Sequence, residues 1–229
     1  MSQTPAVLND VKRALGRSET VIPTALPPFV DLTVGEPTAD LLQRFIEEAT
    51  ALGCNAVCIE SEEAIGETVL KICRTAEVSN IVISGTEIVS TLRGFDKFDH
   101  YGIDRSYIES LTNAAKKDLV KHLSSMHVGI TGIDWAIAET GTIVITSDQD
   151  QELLTSLLPP IHIAVMKRSQ IRESLTVVLE ELGTQRMMRQ PPSRSATFIT
   201  GPSRTSDVEL TLSIGVHGPK ELHLLVINS

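Results

Sequence analysis

Apolar residues recur along the chain at the two spacings that distinguish a helix from a strand. From Thr38 onward they repeat every three or four residues, which is typical of one buried helical face, and Gly53 ends that segment. The segment is therefore predicted to be an amphipathic helix. Its apolar face consists of Leu41, Leu42, Phe45, Ile46 and Ala49.

The next segment has the order strand, helix, strand. Residues 56–59 form a short apolar run, and residues 62–76 have helical spacing. Residues 81–83 form a second apolar run that closes on Ser84 and Gly85. Two strands joined by a helix are typical of a parallel sheet.

Elements of both kinds continue to the end of the sequence. With about seven short strands, the pattern predicts an α/β fold with an open, doubly wound, mostly parallel sheet. The further predicted strands are 128–130, 142–146, 161–165, 197–199 and 222–227, and the further predicted helices are 107–123, 151–157, 170–182 and 207–214.

The start of the chain has a different pattern. Residues 6–15 can form one short amphipathic helix that Gly16 ends, and several prolines follow it. We therefore expect an N-terminal helical arm and linker over residues 1–36, and a single α/β domain over residues 37–229.

The charge balance restricts the classes of partner. The chain carries 20 Lys and Arg residues against 29 Asp and Glu residues, a formal net charge of −9. This excess of negative charge argues against nucleic acid or an anionic membrane as the main partner. We find neither a signal-peptide pattern nor an apolar run near the ~18 residues of a membrane span, and we expect a cytoplasmic protein.

The three cysteines, Cys54, Cys58 and Cys73, form no even set and have no C-x-x-C spacing. We expect them to be reduced, buried thiols. The histidines also lack the spacing of metal ligands, so the sequence predicts no metal site. Without a cysteine motif, the chain is not expected to hold an iron–sulfur cluster by itself.

The fold class predicts where a functional site lies. Ligands of an open parallel sheet bind beyond the carboxyl ends of its strands, where loops and helix N-termini meet. We therefore expect a site at that edge, where three glycine-bearing loops converge. These loops are residues 131–134, 139–141 and 200–207, with residues 215–219 close behind.

The loop at 200–207 has two interpretations. Gly201 permits a tight turn, and Ser206 followed three positions later by Glu209 resembles an N-terminal capping box. On this ground alone, the segment needs no role beyond beginning the helix predicted at 207–214.

The second interpretation is an anion-binding site. Ser203, Arg204 and Thr205 place hydroxyl groups and a guanidinium beside the positive end of the predicted helix, which suits a carboxylate or a phosphate. Asp207 would then orient Arg204 rather than touch the ligand.

Two residues in the other loops are candidates for catalysis. Glu139 is a candidate nucleophile or general base, with Thr140 and Gly141 beside a substrate oxygen, although a carboxylate that only completes a turn is an equal alternative. His217 is the best histidine for acid–base chemistry, and Gly218 would contact the ligand beside it. A histidine that closes a surface helix explains His217 equally well.

In the order and spacing of these motifs, the chain resembles the LUD-domain family. The two most specific matches are the Gly-Pro-Ser-Arg-Thr block at 201–205 and the Gly-Val-His-Gly-Pro block at 215–219. The other matching segments are 129–132 with Asp134, 138–142 and 158–163.

The resemblance implies the fold shared by glucosamine-6-phosphate deaminase, ribose-5-phosphate isomerase and CoA transferases. It also implies a part in oxidising L-lactate to pyruvate, alongside iron–sulfur partner proteins that would carry the clusters. The ligand of this chain would then be a small anionic metabolite. Two alternatives stay open, namely a stand-alone enzyme acting on a sugar phosphate, a folate or an acyl-CoA, and a non-catalytic interaction subunit.

Overall fold

The fold is known from a computed structural model of the chain. The chain consists of two compact units, Met1–Leu32 and Thr33–Ser229, and the α/β fold lies in the second. The helix predicted at 6–15 lies outside the described residues except at isolated positions. The described residues are 10, 13, 14, 16, 40–84, 87–111, 116–147, 151–188, 195–206, 212–215 and 217–228.

A sheet of six parallel strands forms the centre of the fold. Its strands are β1 (Asn55–Ile59), β2 (Asn80–Ile83), β3 (Asp104–Tyr107), β4 (Val128–Gly132), β7 (Ile161–Lys167) and β12 (Glu221–Ile227). They lie in the order β1-β12-β7-β4-β2-β3, and every neighbouring pair is parallel. The predicted α/β class with an open, mostly parallel sheet is therefore confirmed.

A second, smaller sheet contains strands that the sequence analysis assigned to the first. It consists of β5 (Trp135–Ile137), β6 (Thr142–Ser147), β8 (Ile171–Arg172) and β9 (Ser195–Ile199), in the order β8-β5-β6-β9. β6 is antiparallel to both of its neighbours. The expectation of a single sheet was wrong because the few residues between β5 and β6 form a tight turn, and a parallel crossover needs a dozen or more.

Seven helices are described around the sheets. They are α1 (Leu41–Ala51), α2 (Ala64–Thr75), α3 (Glu87–Ser90), α4 (Lys97–His100), α5 (Lys116–Ser124), α6 (Gln151–Leu157) and α7 (Leu175–Met188), with 3-10 turns at Thr91–Gly94, Ile108–Leu111 and Arg168–Gln170. No helix among the described residues combines the length and apolar character that crossing a membrane requires.

Two predicted helices were placed wrongly. The segment 107–123 was predicted as one helix, but β3 ends at Tyr107, a 3-10 turn follows, and α5 begins only at Lys116. The segment 170–182 becomes helical only at Leu175. Before it, the Gln170 side chain accepts a hydrogen bond from the Lys167 amide at 2.7 Å, and residues 171–172 form β8, which pairs with β5.

Helix α1 covers one face of the central sheet together with the second sheet. Its side chains Phe45 and Ala49 are fully buried in one cluster with Leu224 of β12 and Ile143 of β6. Asp40 caps the helix, since its Oδ1 accepts from the Leu42 amide at 3.0 Å. The opposite face of the sheet packs on α2 and α3.

The direction of α1 is opposite to that of the parallel strands. At its start, Asp40 forms an ion pair at 3.2 Å with Arg168, which directly follows β7. Arg168 also donates to the Asn228 side chain, just beyond β12, at 3.2 Å. At its end, Leu52 and Gly53 lead directly into β1. α1 therefore runs from the carboxyl edge of the sheet to its amino edge.

A polar pair lies inside the central sheet. His162 on β7 is 1% exposed, and its Nε2 lies 2.8 Å from the hydroxyl of Thr131 on β4. Burial, assisted by the neighbouring His223, lowers the pKa of His162 to about 3. The imidazole is therefore neutral in the folded protein at physiological pH.

The contact between β4 and α6 allows a test of packing. A Cβ added at Gly129 would lie 2.0 Å from the Thr155 carbonyl oxygen, whereas one added at Gly183 of α7 meets nothing within 4 Å. Gly129→Ala is expected to lower the free energy of unfolding by about 1–3 kcal/mol. Gly183→Ala, the matched control, should raise it by up to about 1 kcal/mol. Urea denaturation measures both, and equal effects would contradict this packing.

The buried histidine predicts how stability depends on pH. The folded pKa of His162, about 3, lies below its ordinary value of 6.5. The contribution of His162 to the free energy of unfolding is therefore complete above pH 6.5 and is lost as pH falls from there toward 3. The loss approaches about 1.4 kcal/mol per pH unit. Urea titrations between pH 7 and 5 should therefore show a steeper loss for the natural chain than for His162→Gln. Parallel curves would contradict the prediction.

Candidate functional site

Two of the three predicted loops converge around the last turn of α1. A Cβ added at Gly141 would lie 2.4 Å from the Ala49 backbone nitrogen, and one added at Gly201 would lie 3.3 Å from the Leu52 Cβ. Both glycines have positive φ, 60° and 84°. Arg204 donates a hydrogen bond to the Leu52 carbonyl. The loops at 139–141 and 200–204 therefore lie at one end of one helix.

These two loops lie at the opposite edge of the central sheet from the one expected, whereas the loop at 131–134 lies at the end of β4, at the carboxyl edge. The Ser203 amide donates to the Pro219 carbonyl at 2.9 Å, and Pro219 precedes β12. The Lys220 amide donates at 2.8 Å to the carbonyl of Pro160, which precedes β7. The expectation of the carboxyl edge was wrong for these two loops because β5 and β9 belong to the second sheet, and the loops that follow them lie at the amino edge.

The helix predicted at 207–214 is wrong over its last three residues, because Leu212–Ile214 is a strand, and residues 207–211 lie outside the described residues. β10 (Arg204–Ser206) pairs with β11 (Leu212–Ile214) as an antiparallel ladder, with Thr205 opposite Ser213. Ser206 therefore lies in a strand. Asp207 and Glu209 lie outside the described residues.

The two specific blocks of the sequence contact each other directly. The Ser203 carbonyl accepts from the Gly215 amide at 2.9 Å. A Cβ added at Gly218 would lie 3.2 Å from the Ser203 Cβ, so the backbone at Gly218 packs closely against that side chain. His217 lies between these two glycines with an exposed side chain. The contact explains physically why the blocks at 201–205 and 215–219 occur together.

Arg204 has a structural partner that sequence reasoning missed. Its exposed guanidinium caps the carbonyl end of α1 at Leu52, where the helix dipole is negative. Gly53 makes room for it, since a Cβ there would lie 2.6 Å from the Arg204 Nη2. The neighbouring thiol of Cys54 is buried, and burial raises its pKa to about 11 although Arg204 partly opposes this.

Glu139 also forms a hydrogen bond at a helix end, the N-terminus of α7. Its Oε1 accepts from the Leu175 amide at 2.7 Å in the first turn of α7, and its own amide donates to the Glu173 carbonyl at 3.1 Å. A carboxylate at the positive end of a helix is stabilising there. The alternative interpretation, in which Glu139 completes a turn, therefore describes at least part of its role.

Three threonines beside Glu139 form a chain of hydroxyl groups. Thr142 Oγ1 lies 2.8 Å from Thr140 Oγ1 and 2.8 Å from Thr200 Oγ1. Sequence reasoning selected Thr140 but missed Thr142 and Thr200. No local pattern connects Thr142 to Thr200, since they are 58 positions apart and meet only through the pairing of β6 with β9.

A groove of about 420 Å³ lies between α7 and β9, and we name it the α7–β9 groove. Glu139, Thr140, Thr142 and Thr200 form its polar end. Its apolar walls consist of Ile137, Leu175, Leu179 and Phe198.

Asp134 and the cysteines lie apart from this groove. Asp134 follows β4, and its Oδ2 accepts from the Thr146 amide at 2.6 Å, which holds β5 and β6 together. Cys54 and Cys73 are buried as expected, but Cys58 is exposed because β1 is an edge strand. Among the described residues, no group of three or more His, Cys, Asp or Glu side chains could hold a metal ion.

Comparisons with known proteins support the resemblance. The chain is 26% identical over 225 residues to lactate utilization protein C of Halalkalibacterium halodurans, covering 96% of this chain and 95% of the relative. It is 25% identical over 231 residues to the uncharacterized protein YkgG of Escherichia coli, covering 96% of each chain.

A solved structure and a family match complete the comparison. The crystal structure of a DUF162 family protein from Deinococcus radiodurans superposes with a TM-score of 0.59 at 23% identity, covering 82% of this chain and 96% of that one, and it supports the fold alone. The LUD domain matches residues 42–227, which span nearly all of the α/β fold. The chain therefore belongs to the LUD-domain family.

Proposed function

We propose that this chain is a component of L-lactate utilization that acts with iron–sulfur partner proteins in the oxidation of L-lactate to pyruvate. The observation that carries the proposal is the near full-length similarity to lactate utilization protein C, whose name assigns that relative to lactate utilization. The LUD-domain match over 42–227 supports it.

The proposed partner proteins would supply the electron acceptor of the reaction. Oxidation of lactate to pyruvate releases two electrons and two protons, and an acceptor must take the electrons. Iron–sulfur clusters are commonly held by four thiolates, and this chain has three cysteines in all. Cys54 and Cys73 are buried in two different hydrophobic clusters. The proposal therefore assigns the clusters to the partners.

The proposal assigns a small carboxylate to the turn around Arg204. A guanidinium has five N–H donors, and the contact with the Leu52 carbonyl uses only part of that capacity. A carboxylate can therefore pair with the remaining donors. Other proposed contacts come from the neighbouring turn and the Glu139 loop, namely Thr140, Gly141, Gly201, Ser203, Thr205 and Gly218, while Asp207 is proposed to orient Arg204.

Glu139 and His217 are the proposed proton-handling residues. The Glu139 carboxylate accepts the Leu175 amide through Oε1, and its second oxygen can still accept a proton or a hydrogen bond. His217 is exposed beside Ser203 and Gly218, so solvent and a ligand at the turn can both reach it.

Reconstitution tests the function of the whole chain. Lactate-dependent reduction of an artificial electron acceptor should require this chain together with its candidate iron–sulfur partners. When the chain is omitted, turnover should fall to background. Unchanged turnover without the chain would contradict the proposal, and adding back the natural chain is the control.

Substitution of Glu139 separates its structural role from a proton-handling role. Glu139→Ala removes the acceptor for the Leu175 amide and should lower the free energy of unfolding by about 1 kcal/mol. Glu139→Gln keeps an acceptor oxygen but loses the base, so stability should be largely kept while turnover falls about 100-fold or more. Denaturation and turnover measurements on both variants check this. Full turnover of Glu139→Gln would limit Glu139 to its structural role.

A further inference from the structure

The α7–β9 groove is too large and too apolar for a small carboxylate alone. Its volume of about 420 Å³ falls in the range of pockets that bind drug-sized molecules, whereas lactate is a three-carbon acid. The Glu139 carboxylate at its polar end also repels an anion. The ligand of this groove therefore differs in chemistry from the substrate proposed above.

The apolar walls are exposed to solvent. Leu175, Leu179 and Phe198 are 42%, 44% and 38% exposed, and they form most of the exposed large apolar side chains among the described residues. On its other side, α7 buries Val178 and Leu182 against the second sheet. α7 is therefore apolar on two sides, and only one of them is used for folding. Exposed apolar surface concentrated in one concave place is typical of a binding site.

The polar end suits a ligand group that both accepts and donates hydrogen bonds. Three hydroxyl groups carry three O–H bonds, and the two contacts among Thr140, Thr142 and Thr200 use two of them. The third O–H remains available to an acceptor on a ligand. The second oxygen of Glu139 can receive a donor, because the Leu175 amide occupies only Oε1. A hydroxyl group can form both hydrogen bonds.

From this geometry we infer that the α7–β9 groove is a binding site for a neutral molecule with an apolar, ring-sized body and a hydroxyl head group. The body lies between α7 and β9 against Leu179 and Phe198, and the hydroxyl group lies between the threonine chain and Glu139. The inference goes beyond the proposed function, because binding at this groove requires neither lactate nor a partner protein.

Three probes of one shape test the chemistry of the ligand. The full chain is titrated with p-cresol, which carries a hydroxyl group, with toluene, which has no polar head group, and with p-toluate, which carries a carboxylate. Binding is followed through the amide resonances of Thr140 and Leu175. We expect p-cresol to bind with a dissociation constant of about 1 mM or lower, and about tenfold more tightly than toluene, the value of one good hydrogen bond. p-Toluate should bind more weakly than either.

Two pairs of variants locate the binding. Leu179→Ser should weaken p-cresol binding about tenfold by removing one apolar wall, whereas Val57→Ser, which changes a 46% exposed side chain outside the groove, should leave it unchanged. Thr200→Val should remove the preference for p-cresol over toluene, and Thr200→Ser should keep it. The inference is overturned if p-cresol fails to bind up to its solubility limit, if p-toluate binds equally well, or if Leu179→Ser binds p-cresol as the natural chain does.

Discussion

Burial of one face of α1 between the two sheets is the interaction on which the rest of the fold depends. Phe45 alone contributes about 2–3 kcal/mol by leaving water, and Ala49 lets the neighbouring chain approach. Because α1 runs from the carboxyl edge to the amino edge, it also supplies the surface on which Gly141, Gly201 and Arg204 come together. The candidate site is thus positioned by a packed helix rather than by the loops that form it.

Local patterns predicted the parts of the fold that local physics determines. The three- and four-residue spacing predicted α1, and the apolar runs predicted the central strands, because burial of one face leaves a period in the sequence. The strand Asp104–Tyr107 was missed because this edge strand carries polar side chains and has no apolar run. The capping-box pattern gave the wrong conformation for Ser206, which lies in a strand that pairs with Leu212–Ile214.

The site was predicted in part for the same reason. Glycines at 141 and 201 carry a local signal for tight turns, and both have positive φ. The edge of the central sheet at which the site lies was not predictable, because it depends on the antiparallel pairing of β5 with β6 in the second sheet. The contact of Thr142 with Thr200 depends on a pairing between distant strands and leaves no trace in either segment. Arg204 and Glu139 each match the charge at a helix end, Arg204 at the carbonyl end of α1 and Glu139 at the amide end of α7.

The close approach of Gly141 to Ala49 has a mechanical consequence. At this point two main chains touch with no side chain between them, so the distance from the helix to the loop is set by the radii of backbone atoms. Where side chains separate two elements, a change of rotamer can absorb part of a displacement. A direct backbone contact cannot absorb displacement in this way. A tilt of α1 toward Gly141 would therefore displace the loop at 139–141 directly.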